Sequence, residues 1–355
     1  MSEPTEILKQ FGVHADAVPF GNGHINRTYL VNSRPRLTLQ KINTEVFRHP
    51  EEVMENIEAV TSFLREKLRN AGQNPERRTL QVVRTVDGKL FYRTPEGDCY
   101  RVYEYVEDTV TPEEVDSPEA FAESARTFGE FQNLLSDFPV ERLHETIPHF
   151  HDTPDRYRQF REALAADRAH RADTVQKEIE FVLSHEKYAS MITDAIADGS
   201  VPLRVTHNDT KLNNVLLDKT TLKGICVIDL DTVMPGSLLY DFGDALRFGA
   251  STAAEDEQDL DKVHFDPEKF EIFTAAFLGE VGKTLTLRER ELLPMSVLLM
   301  TLECGSRFLA DYLNGDVYFR IHRKNHNLDR ARTQFRLVAE IEQCLPQLSH
   351  IVAKY

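Results

Sequence analysis

Hydrophobic and polar positions alternate over short stretches of the first hundred residues, a pattern typical of β-strands. Tyr29–Val31 and Leu37–Gln40, around Asn-Ser-Arg-Pro, predict a hairpin. Leu80–Thr85 and Lys89–Thr94, around an Asp-Gly turn, predict a second hairpin. Tyr100–Val106 predicts one further strand. The beginning of the chain is therefore expected to form a sheet.

One helix interrupts these strands, and helices dominate the remainder of the chain. Apolar residues recur every three or four positions in Pro50–Leu68 and again in Ser117–Phe138, where Ser117 is the predicted cap. Further helices are predicted at Pro154–Ala169, Thr174–Ala197, Pro267–Leu278, Leu287–Leu313 and Leu328–Ile351. We therefore predict an α+β chain of two lobes: a β-rich lobe over residues 1–107 and a larger helical lobe over 108–355. A cleft between such lobes is a favoured ligand site.

Composition narrows the class of protein. The chain has 355 residues with a net charge of −16, which disfavours nonspecific binding to nucleic acid or to anionic membranes. Four cysteines without a C-x-x-C pair make a zinc ribbon or a disulfide framework improbable. The N-terminus has no secretory signal pattern. We expect a cytoplasmic protein with no obligate protein partner.

Chemistry concentrates in Val205–Asp231, a β-rich island among the helices. Two apolar runs separated by a turn predict a hairpin, which brings Asn214 before its first strand close to Asp229 after its second. Asp209 lies five residues before Asn214, on the loop entering the hairpin. Three oxygen-bearing side chains are therefore expected to converge at one end of a rigid element.

This convergence suits phosphoryl transfer. One Asp can accept the proton of an attacking hydroxyl, while a carboxylate and an amide oxygen hold Mg²⁺ against nucleotide phosphates. The alternative is purely structural: the His-Asn-Asp segment forms an Asx turn and Asp229 ends a strand. That alternative suits any single residue, but the complete spacing favours the functional interpretation.

The same residues carry a family resemblance. The pattern resembles the aminoglycoside phosphotransferase/choline kinase superfamily, whose fold is similar to that of protein kinases. Several stretches resemble the bacterial N-acetylhexosamine 1-kinases more closely. They are FGNGHINRTYLVN, LQKINTEVF, RVYEYVEDTV, HFHDTPDRYRQF, LRVTHNDTKLNNVLLD, IDLDTVMPGSLLYDFGDALRFGAST and MTLECGSRFLADYLNGDVYF.

The resemblance implies roles for the central residues. Asp209 would be the catalytic base, and Asn214 with Asp229 would hold Mg²⁺. Asp231 is a weaker metal candidate that could instead order the following loop. Lys211 either contacts the γ-phosphate, where a cation offsets developing charge, or simply faces solvent.

Asp241-Phe242-Gly243 matches the magnesium motif of protein kinases, but its position argues against that role. It follows the Met234–Ser237 turn and leads into a predicted helix. We therefore expect Asp241 to cap this helix or to hold the catalytic loop, and Asp229 to be the metal ligand.

The nucleotide site is expected in the β-rich lobe. Gly21 and Gly23 precede the first hairpin, where a backbone without Cβ atoms can approach phosphates closely. Gln40 or Lys41 is the candidate for the α- and β-phosphates, with Glu55 or Glu58 as a partner carboxylate. By resemblance, the connection containing Glu104, Tyr105 and Val106 would contact adenine through its backbone.

The acceptor site rests on the resemblance. The corresponding His, Arg and Tyr of the sugar kinases contact the sugar; here they are His24, Arg307 and Tyr318, while Phe248 would contact the acetyl group and Asp209 the reacting hydroxyl. Without a sugar role, Arg307 would pair with Glu303 or Asp311, each four residues away on the same helix. Tyr318 and Phe248 could equally be core residues.

The sequence therefore predicts a kinase that uses ATP and Mg²⁺ to phosphorylate the anomeric hydroxyl of N-acetylhexosamines. One alternative is a kinase of the same fold for an amino alcohol, homoserine or an aminoglycoside, which the acidic net charge favours slightly. Another is a nucleotide-binding pseudokinase, which the intact set of Asp209, Asn214 and Asp229 disfavours.

Overall fold

A six-stranded antiparallel sheet forms the N-terminal lobe in the computed structural model, which describes residues 3–21, 25–113 and 117–355. The strand order is β1-β2-β3-β6-β4, and β5 also pairs with β6. The strands are β1 (Ala17–Pro19), β2 (Arg27–Val31), β3 (Leu37–Ile42), β4 (Val82–Val83), β5 (Tyr92–Arg93) and β6 (Cys99–Glu104).

The first predicted hairpin is confirmed, because β2 and β3 pair with Tyr29 opposite Leu39. The second is wrong. Strands β4 and β5 do not pair with each other; both pair with β6, which is long enough to supply partners to each. The segment between them keeps only a tight turn, in which the N–H of Thr85 donates to the carbonyl of Lys89 at 2.9 Å.

Two helices pack on opposite faces of this sheet: α1 (Pro4–Lys9) and α2 (Pro50–Asn70). The outer face carries Leu37, Leu39 and Tyr100 against α1. The inner face carries Ile42, Cys99 and Tyr103, which belong to the main core together with the apolar stripe of α2. Since successive strand residues point to opposite faces, this division also decides which polar side chains of β3 and β6 can reach the cleft.

The larger lobe is mainly helical. Its α-helices are α3 (Pro118–Leu134), α4 (Thr153–Ala166), α5 (Gln176–His185), α6 (Met191–Ala197), α7 (Leu238–Gly249), α8 (Pro267–Val281), α9 (Leu287–Asn314) and α10 (His326–Val352). The predicted cap of α3 is confirmed, since the Ser117 hydroxyl accepts the N–H of Ala120 at 3.1 Å. The single helix predicted over Thr174–Ala197 is instead divided into α5 and α6 by a 3₁₀ turn at Glu186–Tyr188. The division of the chain at residues 107 and 108 remains a prediction.

Helix α9 lies at the centre of this lobe. It is long and apolar enough to cross a membrane by length and composition, but 83% of its most apolar window is buried inside the protein. Neighbouring helices, including α7 and α10, cover it. Its apolar character therefore fits a core helix.

The larger lobe also contains short strands. They are β7 (Thr109–Val110), β8 (Arg204–Thr206), β9 (Val215–Asp218), β10 (Gly224–Val227) and β11 (Met234–Gly236). Two of them, β9 and β10, confirm the hairpin predicted within Val205–Asp231. Strand β9 lies between β10 and β7, and β11 pairs with β8. Val215 lies opposite Val227, so the start of β9 and the end of β10 meet at one edge.

Gly243 lets α7 approach α9 closely, and we predict that Gly243→Ala is destabilising. A Cβ at this position would lie 2.5 Å from the carbonyl oxygen of Ser296 and 2.7 Å from Cγ of Met300. Since the Ser296 oxygen belongs to a helix backbone, relief requires α7 to move, and we expect a loss of about 1–3 kcal/mol in denaturant unfolding.

The matched control is Gly279→Ala in α8, where a Cβ would have no neighbour within 4 Å. This variant should be about 0.5–1 kcal/mol more stable than the parent, because glycine disfavours a helix interior. Equal unfolding free energies for the two variants would contradict the close contact between α7 and α9.

Candidate active site

The loop joining β8 to β9, residues 207–214, is called the catalytic loop below and is held by Asp241. The carboxylate of Asp241 accepts the backbone N–H of His207 at 2.9 Å and that of Asn208 at 2.7 Å. The hydroxyl of Thr210 donates to the Asp241 carbonyl at 2.6 Å. One buried residue therefore fixes the backbone on the approach to Asp209.

These bonds explain the Asp-Phe-Gly motif. Asp241 lies in the first turn of α7, is 2% exposed, and is turned toward the loop backbone. The cap of α7 is Ser237, whose hydroxyl accepts the N–H of Leu239 at 3.2 Å. The interpretation of Asp241 as the residue that holds the catalytic loop is therefore confirmed.

His207 connects the catalytic loop to the end of the hairpin. Its ring is buried, lies edge-on to Phe128, and has Nε2 2.8 Å from the carbonyl of Ile228. Its Nδ1 lies 3.3 Å from the backbone N–H of Asp209. The carbonyl accepts and the amide donates, so both contacts fit a ring that carries a hydrogen on Nε2 and accepts at Nδ1. His207 thereby positions the backbone of Asp209 relative to the residue preceding Asp229.

Asn214 completes the convergence of the three predicted side chains. Its amide nitrogen donates to the carbonyl of Asp209 at 2.9 Å. The backbone carbonyl of Asn214 accepts the N–H of Ile228, the residue before Asp229, at 2.9 Å. The structure therefore brings Asp209, Asn214 and Asp229 together at the edge where β9 begins and β10 ends.

Asp229 adopts a left-handed backbone conformation, with φ 59° and ψ 56°, which turns the chain sharply after β10. The residue is exposed to solvent, and other charged groups lie close to its carboxylate. Loss of hydration, followed by repulsion from Asp231 and Asp209, raises the pKa of Asp229 to about 6. A cation at this position would relieve that repulsion.

The available donors fit a hard divalent cation. Neither the carboxylate of Asp229 nor Oδ1 of Asn214 has a hydrogen-bond partner within the described part of the chain. Carboxylate and amide oxygens are ligands that Mg²⁺ and Ca²⁺ accept. The described residues contain no group of three or more His, Cys, Asp or Glu side chains placed to hold a metal, so such a site depends on the amide of Asn214.

Lys211 lies beside the candidate base rather than facing bulk solvent alone. Its Nζ is 3.0 Å from Oδ1 of Asp209, and its side chain is 41% exposed. The Asp209 carboxylate holds the pKa of Lys211 above its ordinary value, against the effect of burial. Lys211 therefore carries a positive charge next to the position where phosphate charge would develop.

Asp231 is bonded to residues of the N-terminal lobe. Its carboxylate forms an ion pair with Arg101 of β6, and both side chains are buried, at 4% and 1% exposure. Of the two roles predicted for Asp231, the structure favours the ordering of this region.

The glycine segment before β2 is described only in part. Gly21 has a φ of 75°, which glycine adopts without strain. Gly23 and His24, a predicted phosphate contact and a predicted sugar contact, lie outside the described residues. The placement of Gly21 is compatible with a close turn ahead of the first hairpin.

The two candidates on β3 lie on opposite faces of the sheet. Gln40 is on the inner face, where its Oε1 accepts from Nε of Arg101 at 3.0 Å. Lys41 is on the outer face, with Nζ 2.6 Å from Asp98. The structure therefore does not bring Lys41 to the cleft. The cationic side chain that lies next to Gln40 on the inner face is Arg101.

The partner carboxylate proposed for α2 is likewise placed elsewhere. Glu55 lies 2.8 Å from Nε2 of His144, and Glu58 lies 2.6 Å from Arg84. Neither carboxylate pairs with Lys41. Both glutamates occur on the exposed side of α2, whereas a contact with β3 would require the buried stripe of that helix.

The backbone N–H groups of Glu104, Tyr105 and Val106 in the connection between the lobes differ in whether they have a partner. The N–H of Glu104 donates to Gln81 and that of Tyr105 to Arg36, each at 3.0 Å. The N–H of Val106 has no partner within the described chain. Of the three predicted residues, Val106 is therefore the one whose N–H is available to a purine.

Arg307, a predicted acceptor contact, is linked to the catalytic loop through aromatic side chains. Its guanidinium lies 5.5 Å from the ring centre of Phe150 and 5.6 Å from that of Phe319. Phe150 packs on His151, whose Nε2 donates to the carbonyl of Asn208 at 3.2 Å. A chain of direct contacts therefore leads from Arg307 to the residue preceding Asp209.

The alternative ion pairs of Arg307 are not formed. Glu303 binds His151 at 2.8 Å and the hydroxyl of Thr153 at 2.6 Å. Burial opposes ionisation of Glu303, but His151 and then Arg307 hold its pKa below the ordinary value. Asp311 accepts the backbone N–H groups of residues 317–319. Within the described chain, no carboxylate lies within ion-pair distance of Arg307.

Tyr318 and Phe248, the remaining acceptor candidates, are both accessible rather than core residues. Tyr318 is 62% exposed, and its backbone N–H is fixed by Asp311 at 2.8 Å. Phe248 is 39% exposed and lines a cavity of about 270 Å³ together with Leu212 and Arg247. Since Leu212 belongs to the catalytic loop, Phe248 lies beside that loop.

Sequence reasoning missed Arg101 and His151. Arg101 carried a signal, because a lone arginine among the apolar and aromatic residues of a buried strand needs a charged partner. His151 alternates with His149 in the sequence, and nothing local indicates its contact with Asn208. Both partners lie more than 50 positions away along the chain.

A family model for the phosphotransferase enzyme family matches residues 16–273, well over half of the chain. The chain belongs to this family and has its protein-kinase-like fold.

Solved structures share the fold at low sequence identity. A microcompartment-associated aminopropanol kinase is 17% identical with a TM-score of 0.62, the alignment covering 97% of each chain. An aminoglycoside phosphotransferase from Alicyclobacillus acidocaldarius is 14% identical with a TM-score of 0.61, covering 100% of this chain and 98% of the other. An amicoumacin kinase in complex with AMP-PNP and Ca²⁺ is 14% identical with a TM-score of 0.55, covering 92% and 88%.

We predict that Asp241→Asn lowers activity beyond its effect on stability. The amide keeps one acceptor oxygen but turns its NH2 donor toward one of the two backbone N–H groups, that of His207 or that of Asn208, so the catalytic loop loses a charge-assisted bond. We expect a loss of about 1.5–3 kcal/mol in unfolding free energy. Turnover per folded molecule should fall as well, measured as ADP release below the unfolding transition.

The control is Ser237→Ala, which removes the cap of the same helix without a contact to the loop. It should cost about 0.5–2 kcal/mol and leave the turnover of folded protein unchanged. A parallel fall of turnover in both variants would show that Asp241 acts only through the stability of α7.

Proposed function

We propose that this protein is an ATP- and Mg²⁺-dependent N-acetylhexosamine 1-kinase. The family supplies the phosphotransferase class, and the acceptor is inferred from this chain's own site. The observation that carries the proposal is Arg307, whose guanidinium lies between two aromatic rings without a carboxylate partner. Such a site offers hydrogen-bond donors and flat apolar surfaces, which suit the hydroxyls and the ring of a neutral sugar.

The charge of this region separates the proposal from its rivals. Amino alcohols and aminoglycosides are cations and require free carboxylates. Here Glu303 and Asp311 are already bonded to other groups of the protein. Arg156 adds a second cation, whose guanidinium lies 6.0 Å from the ring centre of Phe150, the same ring that Arg307 contacts. Two neighbouring guanidinium groups favour a neutral acceptor over a cationic one.

In the proposed reaction, Asp209 orients the anomeric hydroxyl and accepts its proton as the sugar oxygen bonds to the γ-phosphorus. The bond to the β–γ bridging oxygen breaks, and the products are a sugar 1-phosphate and ADP. Lys211 offsets negative charge next to the base. A divalent ion held by Asp229 and Asn214 would neutralise charge on the phosphate oxygens. His207 and Asp241 keep these side chains in register.

On the nucleotide side, we propose that the backbone N–H of Val106 donates to the adenine and that the segment containing Gly21 covers the phosphates. Gln40 contributes indirectly by holding Arg101. Phe248 and Tyr318 provide accessible aromatic surface beside the acceptor. The cavity next to Phe248 is large enough for a small substituent such as an acetyl group.

The test is phosphate transfer from Mg-ATP to a panel of N-acetylglucosamine, N-acetylgalactosamine, aminopropanol, choline, homoserine and an aminoglycoside. We expect ADP release with the N-acetylated sugars and a product whose phosphorus couples to the anomeric proton. Turnover with a cationic acceptor alone would overturn the acceptor assignment. Thermal stabilisation by Mg-ATP without any phosphorylated product would contradict an active kinase.

We predict that Asp209→Asn lowers kcat by about 10²–10⁴-fold, the range of a lost general base. Folding and affinity for Mg-ADP should be retained, because Asp209 holds the loop through its backbone rather than its carboxylate. The control is Asp218→Asn, the same change at the opposite end of β9, where the side chain accepts from Thr220 and Thr221 and pairs with Arg77 at 3.0 Å. Near-normal turnover of the Asp209 variant would refute its role as the base.

We predict that Arg307→Met raises the KM for the N-acetylated sugar by about tenfold or more, the value of a lost hydrogen bond to a charged group. The KM for Mg-ATP should not change, because Arg307 lies on the acceptor side. The control is Arg332→Met. Arg332 belongs to α10 and pairs with Glu178 of α5. Equal effects on both Michaelis constants would place Arg307 outside the acceptor site.

A further inference from the structure

Arg101, Gln40, Asp231 and Asn26 form a network between the lobes, called the inter-lobe cluster below. Arg101 is the largest fully buried side chain of the described structure, and its guanidinium pairs with Asp231. Gln40 accepts from Nε of Arg101 at 3.0 Å and thereby fixes the plane of the guanidinium. The carboxylate of Asp231 is thus bound to the central strand of the N-terminal sheet.

Asn26 connects the glycine segment to the same carboxylate. Its amide nitrogen donates to Oδ2 of Asp231 at 2.6 Å, and its Oδ1 accepts the backbone N–H of Asn43 at 3.0 Å. Asn26 directly precedes β2 and occupies the position where the glycine loop of protein kinases has its third glycine. A polar side chain at this position therefore has a partner across the cleft.

The sequence separation within the cluster shows what it joins. Asp231 lies two residues after Asp229, the candidate metal ligand, whereas Asn26 follows the glycine segment that would cover the phosphates. The carboxylate of Asp231 therefore connects the two parts: it is bonded to Asn26, and it lies two residues after Asp229 on the same chain segment. Protein kinases align these parts with a lysine of the third strand and a glutamate of the following helix. Here Lys41, Glu55 and Glu58 all have other partners.

We propose that Asp231 is a positioning residue: held by Arg101 and Asn26, it sets the distance between the start of β2 and Asp229, and so determines how a magnesium nucleotide is held. In this role the carboxylate of Asp231 stays bound to the N-terminal lobe and does not ligate the metal. The proposal rests on the nucleotide part of the proposed function and is independent of the acceptor.

The test uses Asn26→Ala, because this variant removes one bond to Asp231 and leaves the buried ion pair intact. Calorimetric titration with Mg-AMP-PNP should show affinity weakened about tenfold or more, as expected for a lost hydrogen bond to a charged group. Titration with AMP-PNP in the presence of a chelator should show a smaller loss, because Asp229 then holds no ion. Asn26→Asp should be weaker still, since it places a second carboxylate against Asp231.

The matched control is Asn43→Ala, the same substitution in the neighbouring loop. Among the residues that the structure describes, the side chain of Asn43 bonds to the N–H of Glu45, at 3.1 Å, and not to Asp231. This variant should bind Mg-AMP-PNP as the parent does. Equal affinities in the Asn26 and Asn43 variants would overturn the proposal, as would a lower melting temperature of Asn26→Ala with unchanged nucleotide affinity.

Steady-state kinetics separate this proposal from the proposed function. Asn26→Ala should raise the KM for Mg-ATP and leave the KM for the acceptor unchanged. If no tested acceptor is phosphorylated, the acceptor assignment fails, whereas the calorimetric comparison still decides the role of Asp231.

Discussion

The bonds from the Asp241 carboxylate to the backbone of the catalytic loop are the constraint on which the site depends. The loop contains Asn208 in a left-handed conformation, with φ 63°, and the chain after β10 contains Asp229 in another, with φ 59°. Each such residue costs of the order of 1 kcal/mol or more and persists only where its surroundings determine it. Asp241 determines the first and His207 connects it to the second. The protein-kinase magnesium motif is thus used here to hold the backbone on which the reacting groups are placed.

The charged side chains around the catalytic loop differ in whether they are neutralised by a partner. Asp229 faces the cleft among other carboxylates, and its raised pKa reports a position that a cation would stabilise. Asp231, two residues later, is neutralised by Arg101 in a buried ion pair. Breaking such a pair by removing one partner costs about 3–5 kcal/mol, so this carboxylate is not readily available to an ion. The proposed acceptor side has the opposite sign, because Arg307 and Arg156 both lie near the ring of Phe150 and Glu303 and Asp311 are already bonded.

The sequence was informative wherever the partners are close along the chain. The spacing of Asp209, Asn214 and Asp229 around one hairpin led directly to their convergence, and the local context of Asp241 revealed its structural role. Pairings between distant segments were not predictable. Arg101 and Asp231 are separated by 130 positions. Strands β4 and β5 each pair with β6 and not with each other. Local turn signals identify a turn but not the strand that will accept its flanking residues. The spacing of Arg307 from Glu303 and Asp311 allowed an ion pair on one face of the helix. Instead, Glu303 binds His151 and Asp311 binds backbone N–H groups after the helix, and spacing within the helix predicts neither contact.

The central claim is that Asn214 and Asp229 hold a divalent ion beside Asp209 while Asp231 remains bound to Arg101. A crystal structure of the protein with Mn²⁺ and AMP-PNP measures this directly, because the anomalous signal of manganese locates the ion without assumption. The account predicts a peak within ligand distance of Asp229 and Asn214, with the γ-phosphate facing Asp209 and the Arg101–Asp231 pair intact. A manganese ion on Asp231 or Asp241, or one away from the end of the hairpin, would contradict it.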